Sequence, residues 1–94
     1  MFSMTPTAHA VVRQVTAHPR IGRHSGLRIA DRGSSEEPLA VGTATEPRPG
    51  DEVIERDGAR IFLDRRAVPR LRGRLLDAVA ERTGRIHFVV RRPR

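Results

Sequence analysis

The chain has 94 residues, a formal net charge of +7 and no cysteine. A domain of this size buries only about 60 to 65% of the surface that its unfolded chain exposes, and aromatic residues make up just 3% of the sequence, so a core of Val, Leu, Ile and Ala is expected. The lack of thiolates excludes cysteine-based redox, nucleophilic and metal chemistry for these residues.

The positive charge raises nucleic acid as a partner. All eighteen basic residues are arginine, and Lys and Asn are absent while Ala, Gly, Arg and Pro abound, which is typical of the coding bias of a GC-rich genome. The arginines are spread along the chain, and clustering is confined to the second half. The candidate nucleic-acid-binding residues are Arg65, Arg66, Arg70, Arg72 and Arg74, followed by Arg91, Arg92 and Arg94.

Membrane insertion and export are not expected. No apolar run approaches the roughly 20 residues of a membrane span, and residues 1–7 lack the basic and apolar regions of a signal peptide. We therefore predict a single cytoplasmic domain over residues 1–94, with residues 91–94 as a basic tail.

The first half of the chain predicts one helix and two strands. Thr5 before Pro6 is typical of a helix start, and Pro19 ends the helix. The helix presents one apolar face, made by Ala8, Val11, Val12 and Val15. Strands are predicted at residues 27–30 and 39–45, with a polar loop over 33–38 between them.

The hairpin around Asp57-Gly58 is the best-specified element. This dipeptide favours a two-residue turn between strands at 53–56 and 59–63. The resulting register pairs Glu55 with Arg60, Ile54 with Ile61, and Val53 with Phe62. Because the two apolar pairs lie on opposite faces, we expect both faces of the hairpin to be covered.

The end of the chain predicts a short helix and two more strands. Asp64 is a candidate N-cap for a helix near residues 65–72, Pro69 keeps that helix short, and Gly73 can end it. Residues 75–80 predict a strand, Thr83-Gly84 a turn, and residues 85–90 a strand. That last strand alternates, with Ile86, Phe88 and Val90 on one face.

These elements resemble a known family. The segments Gly-Leu-Arg-Ile (26–29), Gly-Asp-Glu-Val-Ile-Glu (50–55), Asp-Gly-Ala-Arg-Ile-Phe-Leu-Asp (57–64) and Leu-Arg-Gly-Arg-Leu-Leu-Asp (71–77) are similar to the HesB-like family of A-type iron-sulfur cluster carriers. The likeness covers roughly residues 5–90. It implies an α+β fold, a β-rich pseudobarrel of two small mixed sheets with helices at its ends. It also implies a homo-oligomer with partners in iron-sulfur cluster assembly.

The chain departs from that family at the cluster ligands. The resemblance implies one cysteine in the loop after the first strand and a Cys-Gly-Cys pair in a C-terminal tail. Here the first position falls within residues 33–37, where Ser34, Ser35 and Glu36 stand, and the chain ends at Arg94. Thiolates hold almost all iron-sulfur clusters. We therefore expect no bound cluster and no other cofactor.

Substitute metal ligands are few. The candidates are four histidines and two carboxylates, and none has metal-ligand spacing. They are His9, His18, His24, His87, Glu36 and Glu37. We therefore expect the four histidines to be surface residues rather than metal ligands.

No catalytic motif is present either. The sequence has no nucleophile elbow and no Walker loop, and Ser34-Ser35 has no neighbouring base. We expect no enzyme activity. Two hypotheses remain: a protein-interaction module related to iron-sulfur assembly that carries no cluster, and a small basic domain that binds nucleic acid non-specifically.

Overall fold

The computed structural model describes residues 2–17, 24–33 and 39–92. They form two helices and seven strands, namely β1 (Ser3–Met4), α1 (Pro6–Ala17), β2 (Gly26–Asp31), β3 (Leu39–Ala44), β4 (Glu52–Arg56), β5 (Ala59–Leu63), α2 (Val68–Leu71), β6 (Leu75–Ala80) and β7 (Ile86–Arg91). No helix among these residues is long and apolar enough to cross a membrane.

The strands build two small sheets. One has the order β1-β6-β7 and the other β3-β2-β5-β4. Both are mixed, because β1 runs parallel to β6 and β2 runs parallel to β5, whereas the remaining pairs are antiparallel. The predicted α+β fold with two small mixed sheets is confirmed.

Helix α1 supplies one side of the core. Thr5 Oγ1 accepts a hydrogen bond from the N–H of Ala8 at 3.1 Å, which confirms the predicted N-cap. Ala8 and Val12 are fully buried and belong to the same apolar cluster as the inward side chains of both sheets. The largest of those side chains are Leu27, Ile29, Ile61, Leu63 and Leu76.

The predicted hairpin register is confirmed, but its burial is only partly as expected. Val53 pairs with Phe62 and Ile54 with Ile61. Phe62 is fully buried, whereas Val53 is 48% exposed. The expectation that both faces are covered is wrong at Val53, because β4 is an edge strand of the four-stranded sheet.

An ion pair lies next to Phe62 in the four-stranded sheet. Arg28 lies beside Phe62 in the β2–β5 register, and its Nε and Nη2 donate to the two oxygens of Asp51 at 2.9 and 3.0 Å. Asp51 Oδ2 also accepts the N–H of Arg48 at 2.9 Å. The loop before β4 is thereby fixed to the sheet.

The short helix differs from its prediction. It comprises only Val68–Leu71 and has no side-chain cap. The Asp64 carboxylate accepts instead from the N–H of Arg66, at 3.1 Å, so it stabilises the turn that precedes the helix. Pro69 occupies the first turn, and Gly73, with φ 71°, turns the chain towards β6.

Strand β1 was not predicted. Its two residues pair with Leu75 and Leu76, and the neighbouring N–H of Thr5 donates to the carbonyl of Leu76 at 2.9 Å. The same segment is held by Arg56, which donates to the carbonyl of Phe2 and lies 4.8 Å from the centre of its ring. Two residues are too few to show a strand period, so no sequence pattern marks β1.

Candidate functional site

Three of the predicted arginines lie around one cavity. Arg70 belongs to α2, Arg72 directly follows it, and Arg74 precedes β6. The cavity has a volume of about 440 Å³, and we call it the arginine cavity. It is lined by Arg70, Arg72 and Arg74 together with Leu39, Pro69 and Val90.

Arg70 is held by an acidic partner at the end of β2. Its Nε lies 3.2 Å from Asp31 Oδ2. The pKa of Asp31 is lowered, chiefly because its Oδ1 accepts a hydrogen bond from the N–H of Gly33, and further by the Arg70 guanidinium. Asp31 is therefore ionised at neutral pH and balances the charge of Arg70.

Arg72 and Arg74 differ from Arg70 in this respect. Neither forms an ion pair with any acidic residue in the described part of the chain. Arg72 is exposed and Arg74 is half-buried. Within the described residues, Arg72 and Arg74 thus have no ion-pair partner, and both line the cavity together with the apolar Pro69 and Val90.

The other predicted arginines that the structure describes do not line this cavity. Arg65 and Arg66 are exposed in the turn before α2. Arg91 pairs with Leu75 in the β6–β7 register, which brings the end of the chain beside Arg74. Its side chain is on the opposite face of β7 from Val90. Arg92 is exposed, and Arg94 lies outside the described residues.

Arg91 takes part in a separate polar cluster. Asp77 accepts from Arg91 Nε at 3.0 Å and from the Thr5 hydroxyl at 2.8 Å. The Thr5 hydrogen bond, followed by that of Arg91, lowers the pKa of Asp77. This cluster joins the start of α1 to β6 and β7, so the role of Arg91 here is structural.

The histidine candidates do not converge. His9 Nε2 donates to the carbonyl of Arg56 at 3.0 Å, His24 is exposed before β2, and His87 contacts Glu81 at the far end of the β6–β7 hairpin. Among the described residues no three His, Cys, Asp or Glu side chains form a group that could hold a metal ion. His18, Glu36 and Glu37 lie outside the described residues.

Sequence reasoning missed the acidic partners and the apolar wall. Asp31, Asp51 and Asp77 each pair with an arginine that is 14 or more residues away, and no local spacing indicates such contacts. Leu39 and Val90 likewise meet the arginines only through the tertiary fold.

Comparisons with known proteins give one curated relative and several solved structures that resemble this chain. No protein-family model matches the sequence. An uncharacterized protein of Bradyrhizobium diazoefficiens is 32% identical over 82 residues, which span 84% of this chain and 76% of the relative. Escherichia coli SufA, described as involved in the biosynthesis of iron-sulfur clusters, superposes with a TM-score of 0.70 at 26% identity over 98% of this chain and 85% of its own.

Two further solved structures have the same fold. A protein from Aquifex aeolicus, determined by solution NMR, gives a TM-score of 0.71 at 26% identity and covers 98% of this chain and 91% of its own. IscA, crystallised with a [2Fe-2S] cluster, superposes with a TM-score of 0.66 at 23% identity, and the match covers 99% of this chain and 86% of IscA. The chain belongs to the HesB/IscA-like family.

It is a HesB/IscA-like member without cysteine. Its fold neighbours include iron-sulfur cluster assembly proteins, which agrees with the family resemblance of the sequence. The loop in which the resemblance placed the first ligand lies largely outside the described residues. At its described edge, Gly33 donates to Asp31.

Proposed function

We propose that this chain is an iron-sulfur assembly-related HesB-like protein that carries no cluster on its own residues and acts through protein contacts, including contacts with itself. One observation carries the proposal: the fold of IscA and SufA is built by 94 residues that contain no cysteine. Sites rather than folds determine chemistry, so the scaffold is retained without the thiolates that a cluster requires.

The chemistry of the remaining side chains supports the cluster-free part. Imidazole is the recognised partial substitute for cysteine in iron-sulfur sites. His9 is engaged with the Arg56 carbonyl, and His87 with Glu81. These two residues lie on different elements, α1 and β7. A shared cluster would require both contacts to break.

Exposed apolar side chains support the protein-contact part. Val53, Val79 and Ile86 are 40 to 48% exposed. Ile86 shares a strand face with Phe88 and Val90, which pack against the core, but it lies where the hairpin extends beyond that core. Association that covers any one of these side chains would remove its apolar surface from water, with a gain of about 25 cal/mol per Å².

Catalysis is not part of the proposed function. Ser25 is buried, and its hydroxyl donates to the carbonyl oxygens of Val15 and Thr16 at 3.2 Å. The Thr16 hydroxyl donates to Val12 and accepts from the N–H of Arg60. These hydroxyls join α1 to the sheet, which is a structural role.

Anaerobic reconstitution tests the cluster-free part. The purified chain is incubated with ferrous iron and sulfide, desalted, and assayed for both elements, with IscA, which was crystallised with a [2Fe-2S] cluster, treated in parallel as the positive control. We expect less than about 0.1 iron per chain, because no thiolate is present. A stoichiometric, sulfide-containing chromophore on this chain would contradict the proposal.

Light scattering coupled to size exclusion tests self-association. A dimer or larger assembly at micromolar concentration is expected. A strict monomer, together with cross-linking that captures no partner, would remove support for the interaction module.

Non-specific nucleic-acid binding is the second candidate. The observation in its favour is the run of exposed arginines Arg65, Arg66 and Arg72 around α2. Phosphate contacts of this kind predict a steep salt dependence, whereas three Phe with no Tyr or Trp provide little surface for base stacking. DNA affinity that is unchanged between low and physiological salt would contradict this candidate.

A further inference from the structure

We propose that the arginine cavity is a binding site for an organic phosphate monoester, with the phosphate held by Arg72 and Arg74 and the organic group placed against Leu39, Pro69 and Val90. The inference goes beyond the proposed function and does not depend on it.

The charge of the cavity matches a dianion. Of the three guanidinium groups, that of Arg70 is balanced by Asp31. Arg72 and Arg74 have no acidic partner in the described part of the chain. The described lining residues therefore present a charge close to +2, and a phosphate monoester carries about −1.5 to −2 at neutral pH. A monocarboxylate would leave about half of this charge uncompensated.

The side-chain chemistry also favours phosphate. A guanidinium group is a planar fork of N–H donors that can hold two phosphate oxygens at once. The Arg70–Asp31 pair fixes α2 to the end of β2, so the wall that precedes Arg72 is positioned before a ligand arrives. Preorganisation of this kind reduces the ordering cost of binding.

The apolar lining and the volume indicate the size of the ligand. Leu39 and Val90 come from different sheets and line the cavity together with Pro69. The volume of about 440 Å³ lies in the range of small-molecule sites, about 300 to 1,000 Å³. The cavity is thus suited to a phosphate that carries a small apolar or aromatic group, more than to free inorganic phosphate.

Calorimetric titration of the full chain with matched probes tests the site. Phenyl phosphate and benzoate share the ring and differ in charge, and inorganic phosphate lacks the ring. We expect phenyl phosphate to bind about tenfold or more tightly than benzoate, and more tightly than inorganic phosphate. Equal affinities for phenyl phosphate and benzoate, or no binding of either, would overturn the proposal.

Two double variants distinguish binding in the cavity from attraction to the overall positive charge of the chain. Arg72→Gln with Arg74→Gln removes two charges from the cavity, and Arg82→Gln with Arg85→Gln removes two from the exposed β6–β7 turn, at the other end of a six-residue strand. We expect the first pair to weaken phenyl phosphate about tenfold and the second less than about twofold. Equal weakening by both pairs would overturn the site.

Two short oligonucleotides distinguish a monoester from nucleic-acid backbone. A trinucleotide with a 5′-phosphate supplies the dianion, and the same trinucleotide without it supplies only singly charged diesters. We expect only the first to compete with phenyl phosphate. Equal competition would overturn the proposal in favour of non-specific backbone binding.

Methyl NMR of the unmodified chain gives a readout that requires no variant. Addition of phenyl phosphate is expected to shift the methyl signals of Leu39 and Val90. The methyl signals of Val79 should not shift, because Val79 lies near the β6–β7 turn, on the opposite face of this hairpin from Val90. Shifts centred on Val79, or spread evenly over the chain, would contradict binding in the cavity. A failure of phenyl phosphate to bind would not affect the interaction-module proposal, because light scattering and cross-linking test that proposal separately.

Discussion

At the scale of single residues, aspartate–arginine pairs join parts of the chain that are distant in sequence. Asp31, Asp51 and Asp77 each have a lowered pKa. The Asp51 side chain is only 3% exposed and that of Arg28 is 17% exposed, which makes this pair the most buried of the three. It fixes the loop before β4 to strand β2, so its loss releases this loop as well as removing the charge pair.

Asp51→Asn tests the contribution of that pair. The amide can still accept a hydrogen bond, but the charge that faces the Arg28 guanidinium is lost. We expect a loss of about 1.5 to 3 kcal/mol in the free energy of unfolding, measured by urea denaturation at pH 7. The matched control is Glu55→Gln, which breaks the Arg60–Glu55 pair. Glu55 is 61% exposed, so that change is expected to cost less than about 0.5 kcal/mol. Equal effects would contradict this interpretation.

The stability difference between the original chain and Asp51→Asn should depend on pH. Hydrogen bonding from Arg28 is the largest cause of the lowered pKa of Asp51, so the native state binds fewer protons than the unfolded state, in which Asp titrates near pH 3.9. The stabilisation is complete above about pH 5 and is lost as the pH falls through the lowered pKa. Urea denaturation at pH 7, 5 and 3 should therefore show the difference from Asp51→Asn narrowing at pH 3. A difference in unfolding free energy that stays the same at all three pH values would contradict this assignment of the Asp51 pKa.

At the scale of elements, the hairpin illustrates what local sequence determines. Asp57-Gly58 indicates both the turn and its register, and the structure has positive φ at both positions, 46° and 85°, with the predicted pairs. The exposure of Val53 was not predictable in this way, because it depends on β4 being an edge strand. Strand order is a tertiary property that the hairpin sequence does not contain.

Gly58→Ala tests the turn. An alanine at φ 85° is strained, and its Cβ would lie 3.4 Å from Arg13 Nε, so we expect destabilisation of about 1 to 2 kcal/mol by urea denaturation. Gly42→Ala in β3 is the control, since nothing lies within 4 Å of the added Cβ. It should be neutral or stabilise the chain by up to about 1 kcal/mol. Destabilisation of equal size by the two changes would show that turn strain is not the cause.

The start of α1 is a second element-scale junction. Thr5 caps the helix through Ala8 and donates to Asp77 in β6, so Thr5→Ala removes both contacts. We expect a loss of about 1 to 2 kcal/mol in thermal or urea unfolding. Thr7→Ala, at an exposed position in the same helical turn, should change stability by less than about 0.5 kcal/mol. A neutral Thr5→Ala would contradict the assigned cap.

At the scale of the whole molecule, the sequence was sufficient for the order of the elements after β1 and for the family, but not for the candidate site. The chain order of α1, the hairpin, β6 and β7 follows from caps, turns and periodicity. The arginine cavity does not, because Leu39, Arg72 and Val90 are brought together by two sheets and a four-residue helix. The two arginine clusters look alike in sequence, and the fold separates them by placing Arg91 and Val90 on opposite faces of β7.

We propose that this HesB/IscA-like scaffold acts through protein partners without a cluster of its own. Affinity capture of the chain from a lysate of its own organism, with and without nuclease, followed by mass spectrometry, tests it most directly. We expect iron-sulfur assembly proteins to be recovered equally in both arms. A set of partners that disappears with nuclease treatment would contradict it and would favour the basic surface as the functional one.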